Sequence, residues 1–380
     1  MTKAVQGIDP ATGQPIIIHI EAGRIAAIEP GNSDEKLYLS PGLIDLQVNG
    51  YSGLDLNSGA LVPTEVVALA DLLVSHGVTT FLPTLITASE DTIVNGLRAI
   101  AEARRISARA RHMIPMVHVE GPSISPEDGP RGAHPREHVR SPDLNEFRRW
   151  QAAGEGLVGL VTLSPHWPDA TQYIAALASE GVHVSIGHTS ASPHEIRAAT
   201  AAGARLSTHL GNGAAANLQR HPNLIWTQLD LDALTATFIA DGHHLPADTF
   251  RVMLRAKGLD HAILVSDVVA LGGLPPGRYT SPIGGAVDVI ENGRINVAGT
   301  PYLAGAGSTL DVDVAIAAQM TGLPLAEILP LATRNPGQFV GGRGLLEPGA
   351  AADLIRFRWQ PGDAILDLAE VFLAGERVLP

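Results

Sequence analysis

Short apolar segments alternate with amphipathic segments along the middle of the chain. Eight of the apolar segments have the length and composition of buried strands. In chain order they read GLIDLQV, TTFLPTL, MIPMVHVE, LVGLVTLS, HVSIGH, RLSTHL, TATFIAD and AILVSD. Amphipathic stretches between them, such as DATQYIAALASEG and SPHEIRAATAAG, begin at Asp or Ser and end at Gly, as capped helices do. The alternation predicts a parallel sheet that is covered by helices on both faces.

The number of strand–helix units favours one α/β fold over another. About eight units over roughly 300 residues fit a closed (β/α)₈ barrel of the TIM type. A doubly wound open sheet is the alternative with the same local pattern. We expect the barrel, because eight units are the number that closure requires.

Both ends of the chain are rich in strand patterns and differ from the middle. Near the start, IIIHIEAGRIAAIEP predicts two strands around a turn, and near the end ADLIRFRW and VFLAGERVL predict further strands. We therefore predict a small β-sandwich domain built from residues 1–42 and 346–380, which the segment EPGAAAD connects to the barrel. The barrel itself is expected over residues 43–345.

Composition and charge narrow the class of protein. The 380 residues are 45% hydrophobic and carry a formal net charge of −13, which argues against nonspecific binding to nucleic acid or to an anionic membrane. Cysteine is absent, so disulfides and thiolate chemistry are excluded. The start shows no signal-peptide pattern, and no run of about 18 apolar residues predicts a transmembrane helix. We expect a cytoplasmic enzyme or binding protein that acts on a small molecule.

Four ionisable residues stand at the ends of predicted strands: Glu120, His188, His209 and Asp267. In a (β/α)₈ barrel these ends meet at the face that carries the active site. Two imidazoles and one carboxylate suit a divalent cation such as Zn²⁺, and Asp267 is the candidate for moving a proton beside it. Taken alone, a histidine at a strand end is usually bonded to a loop, and an acid there often caps a helix. Their joint placement favours a metal site.

A further histidine, His118, shares a strand face with Glu120 because side chains alternate along a strand. It is either a neighbour of the site or a core histidine with satisfied hydrogen bonds, and the sequence favours neither.

Several short motifs occur in an order that carries a resemblance. They are PGLIDLQVNG, HVEGP, GAH at 132–134, GHTSA, STHL, ADGHH, LVSD and LAG at 303–305. Together they resemble the N-acetylglucosamine-6-phosphate deacetylase family of the amidohydrolase superfamily, along nearly the whole chain.

The resemblance implies roles for particular residues. Glu120, His188 and His209 would bind one catalytic divalent metal, and Asp267 would be the general base and acid. His134 would polarise the acetyl carbonyl. Gln47 stands where relatives with two metals carry an H-x-H motif, which implies one metal with Gln47 as a possible water-mediated neighbour. The residues that fall on substrate-contacting positions are Ala133, His134, Asn212, Gly213, Arg220, His244, Leu303, Ala304 and Gly305.

The implied reaction is hydrolysis of the acetamido group of an amino sugar phosphate, N-acetylglucosamine 6-phosphate, to glucosamine 6-phosphate and acetate. In the family the arginine matching Arg220 reaches the phosphate in a neighbouring subunit, which implies a homodimer. After STHL, however, the family has an aromatic residue and then Asn-Ala-Met, where this chain reads GNGAAANLQRHPN. Val268 likewise replaces the usual Ala after Asp267. These departures leave the sugar and its phosphate open.

Three alternatives follow from those departures and from the superfamily. The first is deacetylation of N-acetylgalactosamine 6-phosphate or of an unphosphorylated sugar. The second, a D-aminoacylase or dihydropyrimidinase-like activity, is disfavoured because neither an H-x-H first strand nor a modified lysine is visible. The third is a non-catalytic sugar-phosphate sensor, which would not need to retain Asp267 beside a metal.

Overall fold

A computed structural model describes residues 3–281, 285–300 and 302–379 of the chain. Eight parallel strands form its central sheet, and each pairs with the next one in chain order. These barrel strands are Leu43–Val48, Val78–Ile86, Val117–Glu120, Val158–Leu163, His183–Ile186, Leu206–Ser207, Thr235–Phe238 and Ala262–Leu264. A parallel bridge between Val48 and Val268 joins the first strand to the segment just beyond the eighth.

This strand order confirms the (β/α)₈ barrel. An open doubly wound sheet is excluded, because its strand order reverses where the chain doubles back. Helices lie between the strands and after the last one. The α-helices are Pro63–Val74, Glu90–Ile106, Ala108–Met113, Leu144–Ala153, Ala170–Ser179, Pro193–Ala202, Leu224–Asp230, Ala247–Lys257, Leu310–Thr321, Leu325–Ile328 and Arg334–Gly337, with short 3₁₀ turns at Arg136–His138, Leu259–His261 and Leu329–Ala332.

The helix starts follow from local capping chemistry. The Ser192 hydroxyl accepts a hydrogen bond from the Glu195 backbone N–H, while the Glu195 carboxylate accepts one from the Ser192 N–H, which forms a capping box. The Ser89 hydroxyl likewise accepts from the Thr92 N–H. Satisfying these backbone donors fixes where each helix begins, and hence how long the preceding loop is.

A separate seven-stranded sheet is made from strands of both chain ends, as predicted. Its strands are Lys3–Ile8, Pro15–Glu21, Arg24–Pro30, Tyr38–Pro41, Leu354–Arg358, Asp367–Leu373 and Glu376–Leu379. The antiparallel pairing of Tyr38–Pro41 with Leu354–Arg358 holds the two ends together. The domain boundaries, 1–42 with 346–380 and 43–345, stay a prediction, and residues 1, 2 and 380 lie outside the described residues.

Two smaller sheets were not predicted from the sequence. Gly277–Ser281, Gly285–Val289 and Ile295–Val297 form an antiparallel sheet after the eighth barrel strand, and Gly50–Tyr51 pairs with Leu54–Asp55 after the first. Both lie in loops at the carboxyl ends of strands, where barrel enzymes build their active sites.

The length and apolarity of the described helices bear on whether any of them could span a bilayer. None of them alone is both long and apolar enough to cross a membrane. One pair of segments, Leu310–Thr321 and Leu325–Gly337, reaches that length and apolarity only when joined across a bend of 119°.

Candidate active site

A cavity of about 250 Å³ opens at the carboxyl ends of the barrel strands. Its walls are formed by residues from at least five loops, and these residues are far apart in the sequence. The predicted site residues that line it are Glu120, Ala133, His134, His188, His209, Asn212, Gly213, His244, Asp267, Leu303, Ala304 and Gly305.

Glu120 lies at the centre of the polar part of this cavity. It is the last residue of the third barrel strand and is almost fully buried. Its Oε1 lies 3.2 Å from Nε2 of His188 and 3.0 Å from Nε2 of His209. Burial acts to raise the pKa of Glu120, but its close contacts with the two imidazoles hold that pKa well below its usual range. Three atoms that could ligate a metal, two imidazole nitrogens and one carboxylate oxygen, therefore lie close together.

The rings of His188 and His209 share Glu120 as a partner but differ in their other contacts. His188 donates from Nδ1 to the Pro130 carbonyl at 2.9 Å, so Nε2 is the nitrogen left to act as a ligand. Gly213 packs against that ring with φ of +56°, and a Cβ there would lie 2.8 Å from Nδ1 of His188. Burial acts to lower the pKa of His209, and its hydrogen bond to Glu120 raises that pKa above its usual value.

Three of the predicted residues lie beyond the strands rather than at their last positions. The strands end at Ile186, Ser207 and Leu264, so His188 and His209 follow by two residues each and Asp267 by three. All three have left-handed backbone angles, with φ of 47° at His188, 28° at His209 and 51° at Asp267. Residues other than glycine seldom adopt such backbone angles, because the surrounding structure must enforce them. Residues with these angles are concentrated at functional sites.

Asp267 is held by two side-chain amides. Its Oδ1 accepts hydrogen bonds from Nε2 of Gln47 at 2.9 Å and from Nδ2 of Asn49 at 2.7 Å. Burial raises the pKa of Asp267 to about 6, and the negative charge of Glu120 acts in the same direction. A carboxylate with such a pKa is suited to accept a proton near neutral pH and to return it.

Gln47 joins the two carboxylates of the site. Besides its bond to Asp267, its Nε2 donates to Oε1 of Glu120 at 3.0 Å. The sequence predicted Gln47 as a water-mediated neighbour of a metal, and the structure places it behind the cavity wall, between Glu120 and Asp267.

His134 lies opposite these groups, on the loop after the third strand. Its Nδ1 is 2.9 Å from the Thr87 hydroxyl. Burial lowers the pKa of His134 to about 3, and the neighbouring His188 acts in the same direction. The ring is therefore neutral at physiological pH. Ligand atoms of Glu120, His134 and His188 lie within 4.8 Å of one another, so His134 is also close enough to share an ion with them. The predicted set has His209 in that place.

Arg220 is the predicted substrate-contacting residue that the structure does not bring to the cavity. It is exposed, and it is not among the described residues that line the cavity. The described lining contains the acidic residues Asp55, Glu120 and Asp267, but neither lysine nor arginine. A phosphate bound there would need a cation from outside this lining.

Sequence reasoning missed several contributors and left one open. Asn49 stands two positions after Gln47, and this period of two is a signal that could have identified it. Thr87 contacts His134 from 47 residues away in the sequence, which no local pattern shows. Asp241 contacts His244 within the ADGHH motif, where the spacing of three residues is a signal that could have identified it. His118 is a buried histidine whose Nε2 is 2.8 Å from the Thr162 hydroxyl, so it fits the interpretation of a core histidine.

Comparisons with known proteins agree with this geometry. A family model described as "Amidohydrolase family" matches residues 38–377. The chain is similar to the N-acetylglucosamine-6-phosphate deacetylase of Bos taurus, with 34% identity over 356 residues, which cover 90% of this chain and 83% of that protein. It is also similar to the N-acetylgalactosamine-6-phosphate deacetylase of Escherichia coli O157:H7, with 31% identity over 94% of this chain and 93% of that protein.

Among solved structures, the fold is similar to a mutant of N-acetyl-D-glucosamine-6-phosphate deacetylase from Mycobacterium smegmatis in complex with N-acetyl-D-glucosamine-6-phosphate. That similarity has a TM-score of 0.88 and 28% identity, and it covers all of both chains. The family model matches most of this chain, and the barrel and the cavity residues are in place. The chain therefore belongs to the amidohydrolase family.

Proposed function

We propose that this protein hydrolyses the acetamido group of N-acetylglucosamine 6-phosphate and releases glucosamine 6-phosphate and acetate. The observation that carries the proposal is the convergence of Glu120, His188, His209 and Asp267 in one cavity. The relatives that bear this activity in their names support the choice of substrate.

Glu120, His188 and His209 would hold one divalent cation per chain, Zn²⁺ by the softness and number of these ligands. Their donor atoms already meet at Oε1 of Glu120, and the His188 Nδ1–H is fixed on a backbone carbonyl, as metal-bound imidazoles require. A bound cation of this kind supplies Lewis-acid polarisation and lowers the pKa of water. His134 is the alternative third ligand, because its nitrogen lies within the same 4.8 Å group.

The chain's own residues would move protons and stabilise charge. Asp267 accepts a proton from the attacking water and later donates one to the departing amine. Gln47 and Asn49 hold Oδ1 of Asp267 and so fix the orientation of the carboxylate. If the Thr87 hydroxyl donates to Nδ1 of His134, the opposite nitrogen carries the hydrogen and can donate to the carbonyl oxygen as negative charge develops on it.

The phosphate would be bound by backbone and side chains around Asn212, Gly213 and His244, with help from a second subunit. Since neither lysine nor arginine lines the described cavity, we propose a homodimer in which Arg220 of the partner subunit approaches the phosphate. The exposed position of Arg220 in its own subunit is consistent with this arrangement. The proposed location is the cytoplasm.

A second substrate has one specific observation in its favour. The Escherichia coli relative named for N-acetylgalactosamine 6-phosphate matches a larger share of both chains than the Bos taurus relative does. The two sugars differ in the orientation of one hydroxyl.

The proposal is tested by measuring acetate release from a panel of acetamido sugars with the metal-loaded protein. The panel contains N-acetylglucosamine and N-acetylgalactosamine, each with and without the 6-phosphate. We expect the highest kcat/KM for N-acetylglucosamine 6-phosphate. A higher value for N-acetylgalactosamine 6-phosphate would select the second substrate, and no acetate from any of the four would refute a sugar deacetylase.

A further inference from the structure

Asp241 is a buried carboxylate that the proposed reaction does not yet use. It lies three residues beyond the seventh barrel strand and is 4% exposed. Its Oδ1 accepts hydrogen bonds from the backbone N–H groups of His243 and His244, both at 2.8 Å. Its Oδ2 lies 2.7 Å from Nδ1 of His244. All three contacts fix the short turn that carries His244.

The contact with His244 determines where the imidazole carries its proton. Burial acts to raise the pKa of Asp241, but hydrogen bonds from the His244 side chain and the backbone hold that pKa below its usual value, so the group is ionised. An ionised carboxylate only accepts hydrogen bonds, so Nδ1 of His244 must carry a hydrogen. Nε2 is then the nitrogen that remains for a ligand in the cavity, which His244 lines.

We propose that Asp241 is a positioning residue for the reaction: it fixes the ring of His244 and its Nδ1–H tautomer, so that Nε2 meets the substrate. The inference rests on the proposed function only in that His244 contacts the substrate. The side chains of this pair are 9% and 3% exposed, so water does not compete freely for the hydrogen bond. A buried carboxylate that orients a functional imidazole in this way determines which nitrogen can accept and which can donate.

The geometry allows this role to be separated from a purely structural one. In Asp241→Asn the amide oxygen can take the place of Oδ1 and keep both backbone hydrogen bonds, so the turn is retained. The amide NH₂ group then replaces Oδ2 and faces Nδ1 of His244. Since that group only donates, Nδ1 must become the acceptor, and the hydrogen of the neutral ring moves to Nε2. The substitution thus exchanges the tautomer without removing a side chain.

The first measurement is the tautomer itself, by ¹⁵N NMR of the histidine side chains in the metal-loaded protein. The His244 signal is identified by its loss in His244→Ala. We expect the Nδ1–H form in the wild type and the Nε2–H form in Asp241→Asn. A matched control is Asp248→Asn, a nearby aspartate on the surface whose carboxylate accepts a hydrogen bond from the Thr249 N–H. This control should leave the His244 signal unchanged. The wild-type tautomer in Asp241→Asn would overturn the inference, whatever the activity.

The second measurement is kcat/KM for the acetamido sugar phosphate. We expect Asp241→Asn to lower it by about 10- to 100-fold, the range known for residues that orient a metal-bound imidazole. In a His244→Ala background the same change should cost no more than about twofold, the error of additivity for uncoupled sites. An equal loss in both backgrounds would show that Asp241 acts without His244. A wild type that releases no acetate refutes the proposed function instead, and the NMR result still tests the positioning.

Discussion

Asp267→Asn is the substitution that separates proton transfer from the shape of the site. The asparagine oxygen can keep the hydrogen bonds that Gln47 and Asn49 donate to Oδ1, at 2.9 and 2.7 Å. What is lost is the group that accepts a proton, because an amide is not a base near neutral pH. General acid–base catalysis contributes on the order of 10²–10⁴-fold, or roughly 2.7–5.5 kcal/mol of transition-state stabilisation. We expect kcat to fall by at least the lower of these factors.

The assay is acetate release under saturating substrate, with bound metal measured by elemental analysis on the same preparation. Asp267 is not one of the proposed ligands, so metal content should equal that of the wild type. The control is Asp230→Asn, an exposed aspartate that pairs with Arg197 on the surface; its kcat should not change. If Asp267→Asn retains its metal and a kcat close to that of the wild type, Asp267 is not the group that moves the proton. Loss of metal would instead make it a ligand.

Three further changes test the metal, the phosphate and the electrostatics of the core. His188→Ala should lower bound metal from about one ion per chain to a small fraction, and full occupancy by elemental analysis would remove His188 from the ligand set. Arg220→Ala should lower kcat/KM for the phosphorylated sugar by a factor that corresponds to about 1.5–3 kcal/mol of lost transition-state stabilisation, because a hydrogen bond to the charged phosphate is lost. The value for the unphosphorylated sugar should not change. Equal losses for the two sugars would contradict the phosphate role. Burial raises the pKa of Asp45 to about 7 from an ordinary 3.8, so its contribution to the free energy of unfolding is present below about pH 4 and is lost as pH rises towards 7. The free energy of unfolding of the wild type, measured with denaturant, should therefore fall relative to that of Asp45→Asn by up to roughly 1.4 kcal/mol per pH unit between about pH 4 and 7. A difference between the two proteins that does not change with pH would refute the raised pKa of Asp45.

The barrel could be predicted because its strands are buried on both faces and read as continuous apolar runs. Glu120 was placed correctly for the same reason: it terminates such a run, and the third strand ends at that residue. The sheet made from both chain ends also followed from its pattern, since buried positions alternate with partly buried ones along its strands.

The geometry of His188, His209 and Asp267 could not be predicted from strand patterns. Each was expected at the last position of a strand, where the backbone is extended. Instead each lies just beyond its strand with a left-handed φ, and hydrogen bonds to residues of other strands and loops hold it there. The His209 N–H, for example, donates at 2.7 Å to the hydroxyl of Thr237 on the seventh strand. A constraint of this kind depends on residues that are distant in sequence, so no local motif reveals it.

The closure of the barrel and the placement of its proposed base depend on the same short segments. The Asp267 N–H donates to the Gln47 carbonyl at 3.0 Å, and the Asn49 N–H donates to the Val268 carbonyl at 2.9 Å. These two backbone bonds join the end of the first strand to the segment just beyond the eighth. The side chains of Gln47 and Asn49 then hold the Asp267 carboxylate from the same segment. Residues 47–49 make both the backbone bonds and the side-chain bonds. A substitution that weakens the backbone pairing of residues 47–49 would therefore also move the Asp267 carboxylate. We therefore expect Asn49, the residue that follows the first strand, to affect the proposed base although the cavity is built mainly from later loops.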